Sequence, residues 1–459
     1  MLNLRLSEIA QILGAELLGA ELPGADRAAS GVAIDSRKVG EGDLFFALRG
    51  ERVDGHDYLA AALERRAVAA VVECRVDSPL PQLVVAHSER ALGDLARHVR
   101  ATSAARVVGI TGSNGKTTVK TLTASILARH GRTHVNIGNL NNEIGLPLSV
   151  LGTPIDAEFA VFEMGAGKPG DIAYLAAIAR PQIGLVNNIE PAHLERMGSL
   201  EGIAQTKGAI YASLPDDGAA IINADDGFAD VFIDMAGARR IITFGLDRTA
   251  DVSARIDDHG RFNLHTPIGS IDVELALPGR HNIRNALAAT AIALALDVPL
   301  ATIRDGLQAA TAVQGRLLRH PLASGAILID DSYNANPGSF AAAIAALAAE
   351  SGRRILVMGD MAELGPDAEK LHAATGALAA RNGIDQLLAV GPLSRAAVAA
   401  FGANATHYAD QPALITALGA TLHSGTTLLV KGSRSAAMEL VVAGLLDASE
   451  FEHGERHAA

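Results

Sequence analysis

The sequence has one cysteine, Cys74, and no tryptophan, and aromatic residues make up only 3% of its 459 positions. A single cysteine excludes an internal disulfide and fits a reducing compartment. The longest apolar run, ALAATAIALAL from Ala286, is too short to cross a bilayer. Residues 1–16 lack the basic leader and the cleavage site of a signal peptide and predict an amphipathic helix instead. We therefore expect a cytoplasmic protein with no membrane insertion.

The sequence also has fewer basic than acidic residues. Its 39 Lys and Arg and 51 Asp and Glu give a net charge of −12. Nucleic acids and anionic membranes favour basic surfaces, so we expect no nucleic-acid partner. An anionic ligand must then be held by local positive features. The length predicts about three domains, and 49% hydrophobic residues suffice for several buried cores.

Short apolar segments alternate with helical stretches along most of the chain. They include VAAVVEC, RVVGI, AEFAVFE and IGLVNN, and a fresh series after about residue 314 with AILIDD, RRILVMG, QLLAVG and TTLLVK. This alternation predicts an α/β fold with parallel sheets. There is no low-complexity tract and no repeat of fixed period.

The segment ITGSNGKTTVK, residues 110–120, resembles a phosphate-binding loop between a buried strand and a helix. The strict pattern has a glycine where this chain has Ile110, but the inner glycines and the lysine supply the phosphate contacts. Backbone N–H groups and the helix N-terminus would hold phosphate oxygens, and the threonine would bind Mg²⁺. The alternative is a glycine-rich turn without a ligand. The candidate nucleotide-binding residues are Gly112, Ser113, Asn114, Gly115, Lys116, Thr117 and Thr118.

Three further residues follow strands or occupy a helix near this predicted edge. Glu163 ends the strand AEFAVFE, and His193 follows IGLVNN, so both belong to the edge where parallel sheets bind ligands. On the residues alone, Glu163 fits a solvated carboxylate equally well, and His193 fits a solvated loop. Lys207 fits an ordinary lysine on a helix surface.

Seven motifs taken together closely resemble the Mur ligase family, and the resemblance covers nearly the whole chain. They are GITGSNGKTT, NIGNLNNEIGLPLSV, FEMGAGKPGDI, VNNIEPAHLERMGS, LPGRHNIRNALAA, IDDSYNANPGS and VKGSRSAAME, in that order. The resemblance implies a UDP-sugar-binding N-terminal domain over residues 1–85. A central domain of the P-loop type with a parallel sheet would span 86–314, and a Rossmann-like C-terminal domain that binds the incoming dipeptide would span 315–459.

Within the family, DDSYNANP, VMGDMAELG and VKGSRSAA indicate the member that adds D-alanyl-D-alanine to UDP-N-acetylmuramoyl-tripeptide. The resemblance implies that ATP phosphorylates a carboxylate to an acyl phosphate, which an amine then attacks. Thr117 and Glu163 would hold one Mg²⁺, and His193 would hold the second with a carbamylated Lys207. A carbamate supplies the oxygen ligands that a hard cation needs. Lys116, Glu163, His193 and Lys207 are the expected catalytic residues.

The resemblance also assigns residues to the nucleotide and the two other substrates. Asn285, in the first turn of a helix, would bind adenine, and Asn282 has the alternative role of an N-cap. Arg316 would reach the phosphates and Asp331 the ribose, or Asp331 would only stabilise a turn. The UDP-sugar would contact Ser36, Arg37 and Arg49, which otherwise fit a charged loop, and also Asn139, Asn141 and Asn142. The dipeptide would contact Asn334, Asn336, Ser433 and Arg434, with Lys431 and Ser435 nearby at a helix start, or Ser433 would only cap that helix beside exposed basic residues.

We expect a monomer and keep three alternatives to this ligase. One is a sister ligase that adds another amino acid. Another is a P-loop ATPase that couples hydrolysis to a partner, and the third is a UDP-sugar-binding protein without activity.

Overall fold

The computed structural model describes residues 3–19, 26–50, 53–191, 194–257, 261–419 and 421–447. Three large sheets follow one another along the chain, and helices flank them. The predicted α/β class is confirmed. Within the described residues, no helix has both the length and the hydropathy that a bilayer span requires.

The first sheet has five strands in the order β2-β7-β6-β5-β4, all parallel except the β2–β7 pair. A separate antiparallel pair, β1 with β3, precedes it. The strands are β1 (Leu4–Arg5), β2 (Glu16–Leu18), β3 (Ala28–Ala29), β4 (Gly31–Ala33), β5 (Asp43–Phe46), β6 (Ala69–Val72) and β7 (Gln82–Val84). The helices are α1 (Leu6–Leu13) and α2 (Leu59–Glu64). The N-terminal helix predicted for residues 1–16 is therefore shorter, since a strand precedes it and Gly14 ends it with φ +60°.

The central sheet has six parallel strands in the order β13-β12-β11-β8-β10-β9. Its strands are β8 (Arg106–Thr111), β9 (Thr133–Val135), β10 (Phe159–Glu163), β11 (Ile183–Val186), β12 (Ala219–Asn223) and β13 (Arg240–Phe244). An antiparallel sheet follows, with β14 (Ser253–Ile256), β15 (Phe262–Thr266) and β16 (Gly269–Val273).

Nine helices of the described chain accompany the central sheet, and separate apolar clusters fill its two faces. They are α3 (Ser88–Thr102), α4 (Lys116–Leu127), α5 (Gly145–Leu151), α6 (Asp171–Ala179), α7 (Leu194–Met197), α8 (Leu200–Ala212), α9 (Ala229–Ala236), α10 (Arg280–Ala295) and α11 (Leu300–Gln308).

The longest apolar run of the sequence is the buried helix α10, which packs against α4. Its alanines have small side chains, which allow close contact between the helices. On the neighbouring α11, a Cβ at Gly306 would lie 2.5 Å from the Cα of Ile126, so only glycine fits there. Around α4 the core therefore consists of closely packed helices with small side chains, in a chain that has few aromatic residues.

The third sheet has the order β17-β18-β22-β19-β20-β21, and only β17 is antiparallel to its neighbour. The strands are β17 (Leu318–Pro321), β18 (Ile327–Asp331), β19 (Arg353–Gly359), β20 (Gln386–Val390), β21 (Ala405–Tyr408) and β22 (Thr426–Lys431). The helices are α12 (Pro337–Ala348), α13 (Ala368–Arg381), α14 (Ser394–Phe401) and α15 (Gln411–Gly419), and residues 439–447 are also helical. Short 3₁₀ turns occur at Ser36–Lys38, Gly55–Tyr58, Gly365–Asp367 and Arg434–Ala436.

The hydroxyl of Tyr211 links two adjacent strands of the central sheet from α8. It donates to the carbonyl of Ile221 at 2.7 Å and accepts from the N–H of Val186 at 2.9 Å. The side chain is fully buried and packs on the ring of Phe232. Burial raises the pKa of Tyr211 above its ordinary value, so the phenol stays neutral.

We expect Tyr211→Phe to lower the free energy of unfolding by about 1–3 kcal/mol, because two buried backbone groups lose their partner. Urea titration followed by circular dichroism would measure the change. Tyr58→Phe is the control, since Tyr58 is 42% exposed and should change stability by less than about 0.5 kcal/mol. Equal stability of both variants would show that the two hydrogen bonds contribute nothing.

Candidate active site

Three neighbouring strands of the central sheet end at the same edge and bring the predicted site together. β8 lies between β10 and β11, with Ile110 paired to Glu163 and Thr111 paired to Val186. The loop after β8, the carboxylate at the end of β10 and the asparagines after β11 therefore lie side by side. This arrangement confirms the expected position of Glu163 beside the loop.

The loop before α4 has the backbone shape of a phosphate cradle. Gly115 is the N-cap of α4 and has φ +77°, a conformation that favours glycine. A Cβ there would lie 2.5 Å from Nδ2 of Asn187 and 2.6 Å from Oδ1 of Asn285. Nζ of Lys116 donates to the carbonyl of Gly112 at 2.8 Å and to that of Ser113 at 3.3 Å. The amine is thus held over the loop, where a phosphate would meet it.

Two asparagines after β11, Asn187 and Asn188, support this loop, and neither was among the predicted site residues. Asn188 accepts from the N–H of Asn114 at 2.8 Å through Oδ1, and its own carbonyl accepts from the N–H of Ser113 at 2.9 Å. Nδ2 of Asn187 donates to the carbonyl of Asn114 at 2.9 Å and to Oδ1 of Asn285 at 3.0 Å. The only signal was their place directly after a strand that ends at the same edge.

The carboxylate of Glu163 is buried and is held by polar groups on both oxygens. Thr117 donates to Oε2 and Asn141 donates to Oε1, each at 2.8 Å. Nζ of Lys120 lies 3.6 Å from Oε2. Burial alone would raise the pKa of Glu163, but the charges of Lys116, Lys120 and Arg316 lower it below its ordinary value. The carboxylate is therefore ionised and ready to accept a cation.

The donor set at Thr117 and Glu163 fits a hard divalent ion such as Mg²⁺. Both residues offer oxygen, and their oxygens lie 2.8 Å apart. No group of three or more His, Cys, Asp or Glu that could hold a metal occurs among the described residues. Water and phosphate oxygens would therefore complete the coordination, as is usual for Mg²⁺. His193, the expected ligand of a second ion, lies outside the described residues.

Lys207 is fully buried on α8, which differs from the usual environment of a helix-surface lysine. Burial lowers its pKa to about 7, the charge of Lys116 acts in the same direction, and Asp171 opposes them. A large fraction of this amine is therefore neutral and nucleophilic near neutral pH.

The helix α10 carries Asn285 next to the loop, in its second turn rather than the predicted first turn. Asn285 accepts from Asn187, and its Nδ2 donates to Oδ1 of Asn282 at 3.3 Å. The N-cap of α10 is Gly279, so the alternative role of Asn282 as an N-cap is wrong. Its Nδ2 donates instead to the carbonyl of Pro278 at 2.7 Å.

The third unit of the chain, which is built around the third sheet, contacts the loop directly through Asn336, the N-cap of α12. Nδ2 of Asn336 donates to Oδ1 of Asn114 at 2.8 Å, and Nδ2 of Asn114 donates back at 3.2 Å. Asn336 was expected to contact the dipeptide, and the structure places its amide on the phosphate loop.

Thr118, another candidate of the loop, is half-buried in the first turn of α4.

Arg316 and Asp331 also belong to the third unit of the chain. The guanidinium of Arg316 stacks 4.4 Å from the ring centre of Tyr333, and its charge acts on Lys116 and Glu163. Asp331 pairs with Nζ of Lys431 at 2.6 Å. Burial raises the pKa of Asp331, while Lys431 and Arg316 oppose the change. Both residues therefore face charged groups, and their nucleotide contacts stay predictions.

The residues expected to bind the dipeptide carboxylate do not lie at the start of an α-helix. After β22 the chain forms the 3₁₀ turn Arg434–Ala436, and Ala437 has φ +48°. Ser433 donates to the carbonyl of Asp360 at 2.7 Å and lies 3.1 Å from the hydroxyl of Ser435, while Arg434 is exposed and pairs with Glu439 at 3.0 Å. The predicted helix dipole is thus absent there, and the guanidinium remains accessible.

The remaining candidates lie in loops and in a 3₁₀ turn, and they come from all three units of the chain. Arg37 forms a bidentate pair with Asp35, which lowers the pKa of Asp35 to about 2. Arg49 lies 3.5 Å from Asp54 and 3.4 Å from Glu73. The other members are the buried Ser36 and the exposed Asn139, Asn142 and Asn334.

Three family models match the chain in order. They are the Mur ligase family catalytic domain over residues 28–100, the Mur ligase middle domain over 110–293, and the Mur ligase glutamate ligase domain over 315–434. Each matched range contains most of the strands of one of the three sheets.

Curated relatives match over almost their full length. The UDP-N-acetylmuramoyl-tripeptide–D-alanyl-D-alanine ligase of Escherichia coli K12 is 45% identical over 452 residues, which cover 97% of this chain and 99% of the relative. The ligase of the same name from Haemophilus influenzae is 37% identical over 459 residues, with coverage of 97% and 99%.

Solved structures of similar proteins have the same fold. A crystal structure of MurF from Acinetobacter baumannii matches with a TM-score of 0.90 and 35% identity, covering 97% of this chain and 99% of that one. MurF from Thermotoga maritima in complex with ADP matches with a TM-score of 0.81 and 28% identity, covering 92% and 98%. This chain belongs to the Mur ligase family.

Proposed function

We propose that this chain is an ATP-dependent ligase that joins D-alanyl-D-alanine to UDP-N-acetylmuramoyl-tripeptide in peptidoglycan precursor synthesis. The observation that carries the proposal is the phosphate loop with Lys116 held over it and, beside it, the ionised Glu163 carboxylate that accepts from Thr117. Relatives with that printed name match over 97% of the chain. The ADP complex of a related structure supports a nucleotide at this loop.

The reaction couples two transfers. An oxygen of the tripeptide carboxylate attacks the γ-phosphorus of ATP and ADP leaves; the dipeptide amine then attacks the acyl carbon, loses a proton, and inorganic phosphate leaves. Two anions must meet in the first transfer, so positive charge has to be fixed around them in advance. Lys116 and Arg316, whose charges both act on Glu163, supply that charge, and a bound Mg²⁺ would add to it at Thr117 and Glu163.

We further propose that the three sheets correspond to three domains with boundaries near residues 85 and 314. The first sheet ends at Val84, the central one begins at Arg106, and the third begins at Leu318. Between the first two sheets, α3 packs on α5 and α6, which supports its place in the central domain. The first domain would bind the UDP-sugar, and the third would bind the dipeptide.

Lys207 is the proposed site of carbamylation. Addition of CO₂ needs a neutral amine, and burial lowers the pKa of Lys207 to about 7. The resulting carbamate would supply oxygen ligands to a second Mg²⁺, together with His193.

The ligase reaction is tested by ADP release and by mass spectrometry of the product. We expect ADP release to require both UDP-N-acetylmuramoyl-tripeptide and an amine, and D-Ala-D-Ala to be preferred over D-Ala, L-Lys and diaminopimelate. Lys116→Ala should reduce turnover by several orders of magnitude, because its charge is needed where negative charge accumulates. ADP release that ignores the amine would identify a P-loop ATPase instead, and preference for another amine would identify a sister ligase.

Lys207→Met should abolish turnover and at the same time stabilise the protein in bicarbonate-free buffer. A lysine whose pKa falls from 10.5 when unfolded to about 7 when folded costs up to about 5 kcal/mol, fully expressed below pH 7. The stability of the wild type should therefore rise with pH between about 7 and 10, and the variant should lack this slope. Thermal unfolding across that range measures both, with the exposed Lys370→Met as control. Equal slopes in the wild type and Lys207→Met would contradict the buried neutral amine.

Arg434→Ala should raise the KM for D-Ala-D-Ala by about 10- to 100-fold, because a hydrogen bond to a charged carboxylate is lost. The KM for ATP should remain nearly unchanged, and initial-rate kinetics would give both values. The control is Arg395→Ala, another exposed arginine of the third unit. Equal increases in both KM values would assign Arg434 to the nucleotide or to domain closure.

A further inference from the structure

A second buried lysine, Lys120, lies one turn after Lys116 on α4. Nζ of Lys120 donates to the carbonyl of Asn136 at 3.0 Å and to that of Gly138 at 3.4 Å. It also lies 3.6 Å from Oε2 of Glu163. Lys120 is only 6% exposed. An ammonium group has three donors, and here they are directed at two carbonyls and one carboxylate.

The segment 136–142, which Lys120 contacts, also forms hydrogen bonds with Glu163. Asn136 accepts from the N–H of Glu163 at 3.0 Å, and its Nδ2 donates to the carbonyl of Glu163 at 3.3 Å. Near the other end of the segment, Nδ2 of Asn141 donates to Oε1 of the Glu163 carboxylate at 2.8 Å. The base of the segment 136–142 and the proposed metal ligand therefore form one connected unit.

The tip of the same segment faces outward. Ile137 is 77% exposed, and Asn139 and Asn142 are exposed as well. An apolar side chain and two amides on a fixed base suit a ligand with both a ring or methylene surface and polar groups. The UDP-sugar substrate of the proposed function has both kinds of surface.

We propose that Lys120 is a positioning residue with two partners: it balances the charge of Glu163 when no metal is bound, and it anchors the segment 136–142 for the UDP-sugar substrate. This inference rests on the proposed function. If Oε2 of Glu163 were to bind a metal, Lys120 would still have the carbonyls of Asn136 and Gly138 as partners. The same Oε2 accepts from Thr117 and lies 3.6 Å from Nζ of Lys120, so a cation held by Thr117 and Glu163 would be close to the ammonium.

The two roles have opposite consequences when the charge is removed. Like charges repel strongly in a site of low dielectric, so Lys120 weakens metal binding while it stabilises the empty site. Loss of Lys120 should therefore strengthen metal binding. The same loss frees the carbonyls of the segment base, and the outward-facing tip then loses its fixed position. A general structural defect would instead weaken both kinds of binding.

The test compares Lys120→Met with the exposed Lys370→Met by isothermal titration calorimetry. Binding of a non-hydrolysable ATP analogue at a series of Mg²⁺ concentrations gives the half-saturating Mg²⁺. We expect this value to fall by about threefold or more in Lys120→Met, because one repelling charge is gone. The affinity for UDP-N-acetylmuramoyl-tripeptide in EDTA should weaken by about tenfold, because two anchoring hydrogen bonds are lost. Lys370→Met should change neither value.

Lys120→Gln separates the two roles and serves if the methionine variant is unstable. Its amide can still donate to a carbonyl but carries no charge, so the half-saturating Mg²⁺ should fall while UDP-tripeptide binding is largely retained. If both affinities weaken together with the melting temperature, or if neither changes, the proposal is wrong. A wild-type protein that fails to bind UDP-tripeptide would refute the proposed function, and the Mg²⁺ titration would still decide the charge-balancing role of Lys120.

Discussion

A single buried carboxylate, Glu163, sets the conditions for the whole site. Three cations, Lys116, Lys120 and Arg316, act on it and hold it ionised despite its burial. Without a central negative charge, these cations would repel one another at the edge of the sheet. With it, positive charge accumulates at the place where a nucleotide would bring its phosphates. Thr117 and the segment 136–142 contact this residue directly, and Asn187 and Asn188 hold the loop itself.

The sequence predicted this core of the site because parallel sheets obey a simple rule. The carboxyl ends of parallel strands share one edge, so Glu163 could be placed at the same edge as the loop of Lys116 without any knowledge of strand order. The pairing of Ile110 with Glu163 confirms that position, whereas the pairing of Glu163 with Thr117 was implied by the family resemblance. Lys120 escaped the same reasoning because its burial depends on contacts with Asn136 and Gly138, which follow a different strand. Helical position alone cannot distinguish such a lysine from one on the surface.

The predictions for the third unit were less successful for a related reason. The cluster around Ser433 was expected at the start of an α-helix, but Ala437 adopts a left-handed conformation and delays the helix to residue 439. Asn336 also contacts the phosphate loop of the central unit, which was not expected, and its assignment to the dipeptide stays a prediction. Local patterns indicate strands and turns, whereas the contact between two units depends on how their surfaces meet. The substrate contacts of this unit therefore rest on the family resemblance and the proposed experiments.

The contact between Asn114 and Asn336 joins two neutral amides, each of which donates to the other. Neither partner titrates in water, and neither carries a formal charge that dissolved ions could screen. Changes of acidity or ionic strength therefore leave this junction intact, in contrast to the ion pairs elsewhere on the surface. A molecule that breaks this contact has to compete for the two amide hydrogen bonds themselves.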